Sequence, residues 1–281
     1  MGWRKRLGSV GVWRNVKIVD AALARTIEEL GYGTSWQGGS PGSDLRPAEA
    51  LLEATESLVV ATGIVNIWAS DPAELADSYH RIEAGHSGRL LLGIGSGHRE
   101  ATPERVRPLD AMSRYLDVLD ERAVPVQARV LSALGPRMLA MAAERSAGTH
   151  PYLTVPSQTR EQRSILGPDA LVAPEQTVVL DSDPEAGRRA ARQFLEHYLE
   201  LANYTSTMQR GGFTADDVAN GGSDRLVDAI VVHGDAPVLA AAVRAHLDAG
   251  ADHVCVQVQP ADRDVVPALE AIADALGTVP R

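Results

Sequence analysis

Gly93-Ile94-Gly95-Ser96-Gly97-His98 sets three alternating glycines, a serine and a histidine directly behind an apolar segment. Glycine lets backbone come close to a ligand, and successive N–H groups can cradle an anion. Detail excludes the familiar phosphate loops. A dinucleotide loop requires a third glycine where His98 stands and opens the first βα unit of its fold. No Gly-Lys-Ser/Thr follows, as a P-loop demands, and Gly95-Ser96-Gly97-His98 lacks the Gly-x-Ser-x-Gly spacing of a nucleophile elbow. The segment reads as a ligand loop or a plain glycine turn.

Other segments carry similar promise. Thr62-Gly63-Ile64-Val65-Asn66-Ile67-Trp68 leaves an apolar run with an amide and a large ring able to face a flat ligand. Trp36-Gln37-Gly38-Gly39-Ser40-Pro41-Gly42-Ser43-Asp44 is a long loop of small side chains in which Ser40 or Asp44 could touch substrate. Leu134-Gly135-Pro136-Arg137 starts a helix, where free N–H groups and an arginine attract anions. Each is equally readable as an ordinary turn.

The eight histidines form no metal pattern, and there is no cysteine pair. His197 and His246 are expected on helix surfaces. His80 and His86 flank a helix end, His233 precedes Gly234 in a loop, and His253 starts a strand. His98 and His150 differ, since each follows a predicted strand, where acid–base groups of a barrel belong.

Bulk properties narrow the classes. A net charge of −10 without a basic run argues against nucleic acid. No apolar run has the length to cross a bilayer. Met1–Arg6 is basic, but Gly8, Ser9 and Gly11 interrupt the stretch behind it, a poor signal-peptide core. The lone Cys255, in an apolar stretch, fits a small core residue and a reducing compartment. We therefore expect a cytoplasmic protein with a small-molecule substrate.

Short β-branched segments alternate with amphipathic ones, which argues for parallel strands with crossover helices. Strands are expected at Gly8–Trp13, Gly33–Trp36, Leu58–Val65, Arg89–Ile94, Pro125–Leu134, near Gly148, Asp169–Leu180 and His253–Val258. Helices are expected at Val16–Leu30, Arg46–Ser57, from Ser70-Asp71-Pro72, within Ala101–Arg122, and at Pro136–Arg145, Ser157–Leu166 and Asp264–Leu276. The rhythm breaks after Leu180: Asp183-Pro184-Glu185 caps a long helix, and a mostly helical stretch runs to Ala249. Eight βα units make a (β/α)8 TIM barrel, an α/β fold, in one domain over residues 1–281. A doubly wound sheet is the alternative.

The ordered set of segments resembles the luciferase-like monooxygenase superfamily, bacterial-luciferase-like barrels, and most of all its F420-dependent oxidoreductase branch. The segments are Leu7-Gly8-Ser9-Val10-Gly11-Val12-Trp13, Glu29-Leu30-Gly31-Tyr32, Thr62-Gly63-Ile64, Ser87-Gly88-Arg89 to Gly97, Leu134 to Leu139, Gly148-Thr149-His150-Pro151, Asn203-Tyr204, Gly212-Phe213, Leu226 to Ala229 and Ala249 to Val254. The resemblance implies a barrel that holds coenzyme F420, or alternatively FMN, at its mouth. It implies a non-prolyl cis bulge at Gly63–Ile64 beneath the ring and a polar contact from Asn66. Gly95, Ser96, Gly97 and His98 would line the cofactor, Gly39 would lie beside it, and Leu134, Gly135, Pro136 and Arg137 would stand near its side chain and phosphate. His98, Ser40 and His150 are the candidates for handling a proton. Sugar-phosphate dehydrogenases of this branch carry an Asp-His pair after strand two and a glutamate after strand four. Gly39-Ser40 and His98 stand at those positions here, so that apparatus is not carried over. The family also implies a homodimer. Its rivals are an FMN-dependent monooxygenase, a barrel that has lost its cofactor, and an unrelated hydrolase or aldolase. The last would need a metal cluster or a Schiff-base lysine, and Lys5 and Lys17 lie away from the predicted strand ends.

Overall fold

Parallel strands close into a ring in the computed structural model, which describes residues 2–97 and 107–279. In chain order the strands are β1 (Val10–Asn15), β2 (Thr34–Gly38), β3 (Val59–Gly63), β4 (Val65–Asn66), β5 (Leu90–Gly95), β6 (Arg129–Leu131), β7 (Gly148–Thr149), β8 (Leu171–Val172), β9 (Glu175–Leu180), β10 (Val231–Gly234) and β11 (Val254–Val258). β3 and β4 are two halves of one stave, and so are β8 and β9. The β8 half pairs with β7 and the β9 half pairs with β11, which pairs with β1 through Val10↔Val254. Eight staves thus return on themselves in chain order, the (β/α)8 arrangement. β10 stands outside the ring, paired with β9 from Val231↔Thr177 to Gly234↔Leu180.

Side chains alternate along each stave, as the pleat requires. Trp13, Trp36, Ala61, Leu91, Val130, Leu171 and Cys255 form one buried cluster inside the ring. Val12, Val60, Leu90, Leu92, Leu131, Val172 and Val256 form another, which meets the surrounding helices. The interior cluster also takes in Leu7, at the end of the short helix α1 (Trp3–Leu7), from the N-terminal side of the ring.

Helices start where their first residues dictate. α2 (Ala21–Glu29) begins at the cap Asp20, whose carboxylate accepts from Leu23 N at 2.8 Å. It therefore starts later than the expected Val16. Residues 16–19 instead turn on Asn15, with Ile18 N donating to Asn15 O at 3.0 Å. Aspartate followed by proline opens α4 (Pro72–Gly85) at Asp71 and α8 (Pro184–Leu199) at Asp183. α3 (Arg46–Ala54), α5 (Pro108–Glu121), α6 (Pro136–Arg145), α7 (Pro156–Leu166) and α13 (Val266–Leu276) complete the set around the staves.

After β9 the chain leaves the barrel rhythm through α8, α9 (Ala202–Arg210), α10 (Ala215–Val218) and α11 (Asp224–Ile230), then β10 and α12 (Ala236–Asp248). Two expectations are corrected here. The stretch expected to be helical to Ala249 contains β10, signalled by Val231-Val232. His246 is not a surface residue: it is fully buried, with Nδ1 facing the Thr159 hydroxyl at 2.8 Å and Nε2 the Gln176 amide oxygen at 3.1 Å. No helix among the described residues is long and apolar enough to cross a membrane.

Candidate active site

The third stave is irregular near its C-terminal end. Ala61 pairs with Leu91, and Val65 with Ile94. Three residues, 62 to 64, therefore oppose two, which is a β-bulge. The Thr62 hydroxyl fills the gap in the ladder: it accepts from Gly93 N and donates to Gly93 O, both at 2.8 Å. The Gly63–Ile64 peptide within the bulge is cis, where the resemblance placed it.

Around this bulge lies a cavity of about 410 Å³ at the C-terminal mouth of the ring. That size suits a small-molecule or cofactor site. Residues at or just beyond the C-terminal ends of the first six staves supply most of its wall: Trp13 and Asn15, Gly39 and Ser40, Gly63, Ile64 and Asn66, Ser96 and Gly97, Ser132 and Leu134, then His150 and Tyr152. Met138 of α6, Tyr198 of α8, and Asn203 and Tyr204 of α9 close the rest.

Glycine is needed at three wall positions because neighbours press on bare backbone. A side-chain carbon at Gly63 would lie 2.7 Å from Trp13 Nε1 and 3.2 Å from His150 Nε2. One at Gly39 would lie 2.5 Å from the Asn15 amide nitrogen, and one at Gly97 2.6 Å from that of Asn66. Gly39 and Gly97 also have positive φ, 78° and 55°, which glycine adopts without a Cβ clash. The wall at the bulge is thus flat peptide edged by amides and an indole. That composition fits a planar heteroaromatic ring with polar edges.

His150 projects from the end of β7. Its Nδ1 faces Ala173 O at 2.8 Å, an acceptor, so this nitrogen carries the proton and Nε2 is the basic one. Nε2 is buried and has no partner among the described residues. Burial lowers the imidazole pKa to about 4, against a smaller upward push from the bond to Ala173 O. His150 is therefore neutral at pH 7 and serves as an acceptor.

Beside it, Tyr152 packs on Trp13 with ring centroids 5.4 Å apart, and its hydroxyl donates to Gln257 Oε1 at 2.8 Å. Tyr198 and Tyr204 meet edge to face at 5.2 Å. Near these rings, at the start of β9, sits Glu175, only 1% exposed. Its carboxyl accepts from the Thr177 hydroxyl and from Leu153 N. Burial outweighs both bonds and raises its pKa to about 8, so it is mostly protonated at neutral pH.

The expected site residues divide by position. Gly39, Ser40, Gly63, Ile64, Asn66, Ser96, Gly97, Leu134 and His150 share the cavity wall. Gly95 lies behind it, against the Ile64 side chain. Gly135, Pro136 and Arg137 form the start of α6 next to Leu134 and do not line the cavity. His98 lies outside the described residues. Asp44 turns away, accepting from Arg46 N, and Trp68 braces the neighbouring loop by donating to Ser96 O at 2.8 Å. Trp13, Asn15 and Tyr152 were not named as site residues. The rule that barrel chemistry sits at the C-terminal ends of the strands points to all three. Tyr198 and Tyr204 come from the helical excursion, and helical spacing alone does not mark them. Among the described residues no cluster of histidine, cysteine and acidic side chains is able to hold a metal ion.

Comparison with known proteins agrees with this fold. Residues 20–123 match the family model of the luciferase-like monooxygenases. No curated protein matches the sequence. An F420-dependent secondary alcohol dehydrogenase, solved with an F420–acetone adduct, superposes with a TM-score of 0.74 at 14% identity, over 96% of this chain and 98% of that one. The coenzyme F420-dependent tetrahydromethanopterin reductase of Methanopyrus kandleri gives 0.69 at 17%, over 95% and 98%. The oxygenating constituent of 3,6-diketocamphane monooxygenase from the CAM plasmid of Pseudomonas putida, solved with FMN, gives 0.71 at 12%, over 96% and 97%. The chain thus has the (β/α)8 fold of those structures across its length, and it is similar in sequence to the luciferase-like monooxygenase family over residues 20–123.

Proposed function

We propose that the protein is an F420-dependent oxidoreductase that moves a hydride between the deazaflavin and a small organic substrate. The observation that carries this reading is the mouth cavity, with bare peptide at Gly63–Ile64 edged by Trp13 and Asn66. When bound, the deazaflavin supplies the carbon that gives or takes the hydride; the protein supplies orientation and electrostatics.

In this reading the bulge and Asn66 carry the ring. Ser96 and Gly97, backed by Gly95, hold its edge. Leu134 and the α6 start at Gly135, Pro136 and Arg137 face the anionic side chain, where unpaired helix N–H groups suit negative charge. Trp13, Tyr152 and Tyr204 exclude water from one side of the cavity. Ser40 offers a hydroxyl, and neutral His150 an acceptor nitrogen, for the proton that accompanies the hydride; His98, outside the described residues, is the third candidate. One domain, a homodimer and a cytoplasmic setting belong to the same proposal.

The family match and the FMN-bound neighbour favour a second reading, an FMN-dependent monooxygenase. The two part on oxygen. Reduced F420 should be oxidised by a carbonyl substrate panel without oxygen uptake. Protein-dependent transfer of an oxygen atom from O2 to an organic substrate with reduced FMN, the other atom leaving as water, and none of the F420 activity, would replace the first reading by the second.

A further inference from the structure

A second cavity of about 320 Å³ adjoins the first and shares Trp13, Asn15 and Tyr198 with it. Ile18 and Phe194 give it apolar surface, and the exposed His197 stands at its rim. Its cation is Arg14, next to last in β1 and 6% exposed.

Arg14 lacks a counter-charge among the described residues. Its Nη2 donates to Ala261 O at 3.2 Å, while Nε is buried with no acceptor. Among the described residues, Arg14 makes no salt bridge within 4.0 Å to a carboxylate. The other buried arginine among the described residues, Arg129, is answered by Asp120. A guanidinium does not escape burial by losing its proton, so leaving it unpaired carries a free-energy penalty that an anion relieves. Burial alone pulls its pKa down, with no opposing charge to hold it up.

We propose that this side chamber binds the oxyanion of an amphipathic acid, a carboxylate or phosphate held by Arg14, with the apolar body against Ile18 and Phe194. The shared wall at Trp13 places such a ligand beside the mouth cavity. Anion binding stands on the geometry of Arg14; its part in turnover rests on the deazaflavin reading above. The anion has two sources, an acidic substrate or the anionic side chain of the cofactor.

Thermal unfolding of the full chain tests the site with benzoate and inorganic phosphate, and with benzyl alcohol as the neutral control. Benzoate or phosphate should raise the midpoint of the wild type, and benzyl alcohol should not. Arg14→Met should ignore both anions, and without ligand should unfold at or above the wild-type temperature, because an unpaired buried charge has gone. Arg14→Lys should keep part of the response. No anion response in the wild type, or an equal one in Arg14→Met, overturns the proposal. A second arm compares FMN with riboflavin. An Arg14→Met loss of about 10- to 100-fold for FMN alone, the usual size of a charge-assisted bond, assigns the anion to the cofactor. Unchanged FMN and F420 affinity with a lost benzoate response assigns it to the substrate. Should neither cofactor bind even the wild type, the deazaflavin reading fails while the first arm still reports on Arg14.

Discussion

Trp36 stacks on His150 inside the ring, with centroids 4.0 Å apart and planes 17° from parallel. The same indole donates from Nε1 to His253 Nε2 at 3.0 Å. Two imidazoles and an indole thus line the interior below the mouth, and the stack is part of what keeps water and charge away from His150.

That environment predicts an acid limb. His150 and His246 have folded pKa values lowered to about 4, against 6.5 when exposed. Between those values the unfolded chain binds protons that the folded one does not. The stability these histidines contribute is therefore complete above pH 6.5 and falls as pH drops toward 4, by on the order of 3 kcal/mol per histidine. Urea unfolding of wild type and His246→Gln across this range checks it. The variant should lose less stability on acidification, and parallel curves would contradict the assignment.

Glu175 predicts the opposite slope. Its folded pKa is raised to about 8 from 4.5, so the folded chain holds a proton the unfolded one releases. Stability is then lost as pH rises from 4.5 through 8, by on the order of 4 kcal/mol. Glu175→Gln keeps an acceptor for Leu153 N and a polar group for the Thr177 hydroxyl. It should flatten this slope and gain stability over the wild type at pH 8. Equal pH slopes would show that Glu175 ionises freely.

Gly63→Ala probes the cavity wall. The new carbon would intrude on Trp13 Nε1 and His150 Nε2, so the rings must shift at a cost of about 1–3 kcal/mol. The protein should stay folded by circular dichroism, yet lose cofactor affinity at least about tenfold. Unaltered affinity would remove the bulge from the binding surface.

Asp252 ties the last two staves. It accepts from Val172 N at 2.9 Å and pairs with Arg163 and, at 2.7 Å, with Arg4. Asp252→Ala leaves a backbone N–H and a partly buried arginine without their acceptor. We expect a loss of about 2–4 kcal/mol in urea unfolding. A loss confined to a few tenths would mean that α1 and the ring closure do not depend on it.

How much of this was legible follows from particular residues. The staves were readable because β-branched runs such as Leu58–Val65 are buried on both sides, and helix starts because Asp-Pro pairs punctuate them. α2 was placed too early because Val16–Val19 continues an apolar pattern that Asp20 overrides by capping. β10 was missed because four residues within helical surroundings give little periodic signal, and its pairing with β9 is a tertiary event. His246 looked like a surface residue since a helix position alone does not reveal that Thr159 and Gln176 wait across the core. At the site, glycines and loop positions were visible in sequence. The pairing of Gly63 with Trp13, the protonated state of Glu175 and the unpaired Arg14 depend on distances no linear pattern encodes.

Titration of the purified chain with F420 and with FMN, followed by their absorbance and fluorescence, is the direct test of the redox assignment. We expect F420 to bind with a dissociation constant below about 100 µM, or about −5.5 kcal/mol, and more tightly than FMN. Binding of neither up to about 1 mM would contradict a flavin-type site at the Gly63–Ile64 wall and leave only the barrel.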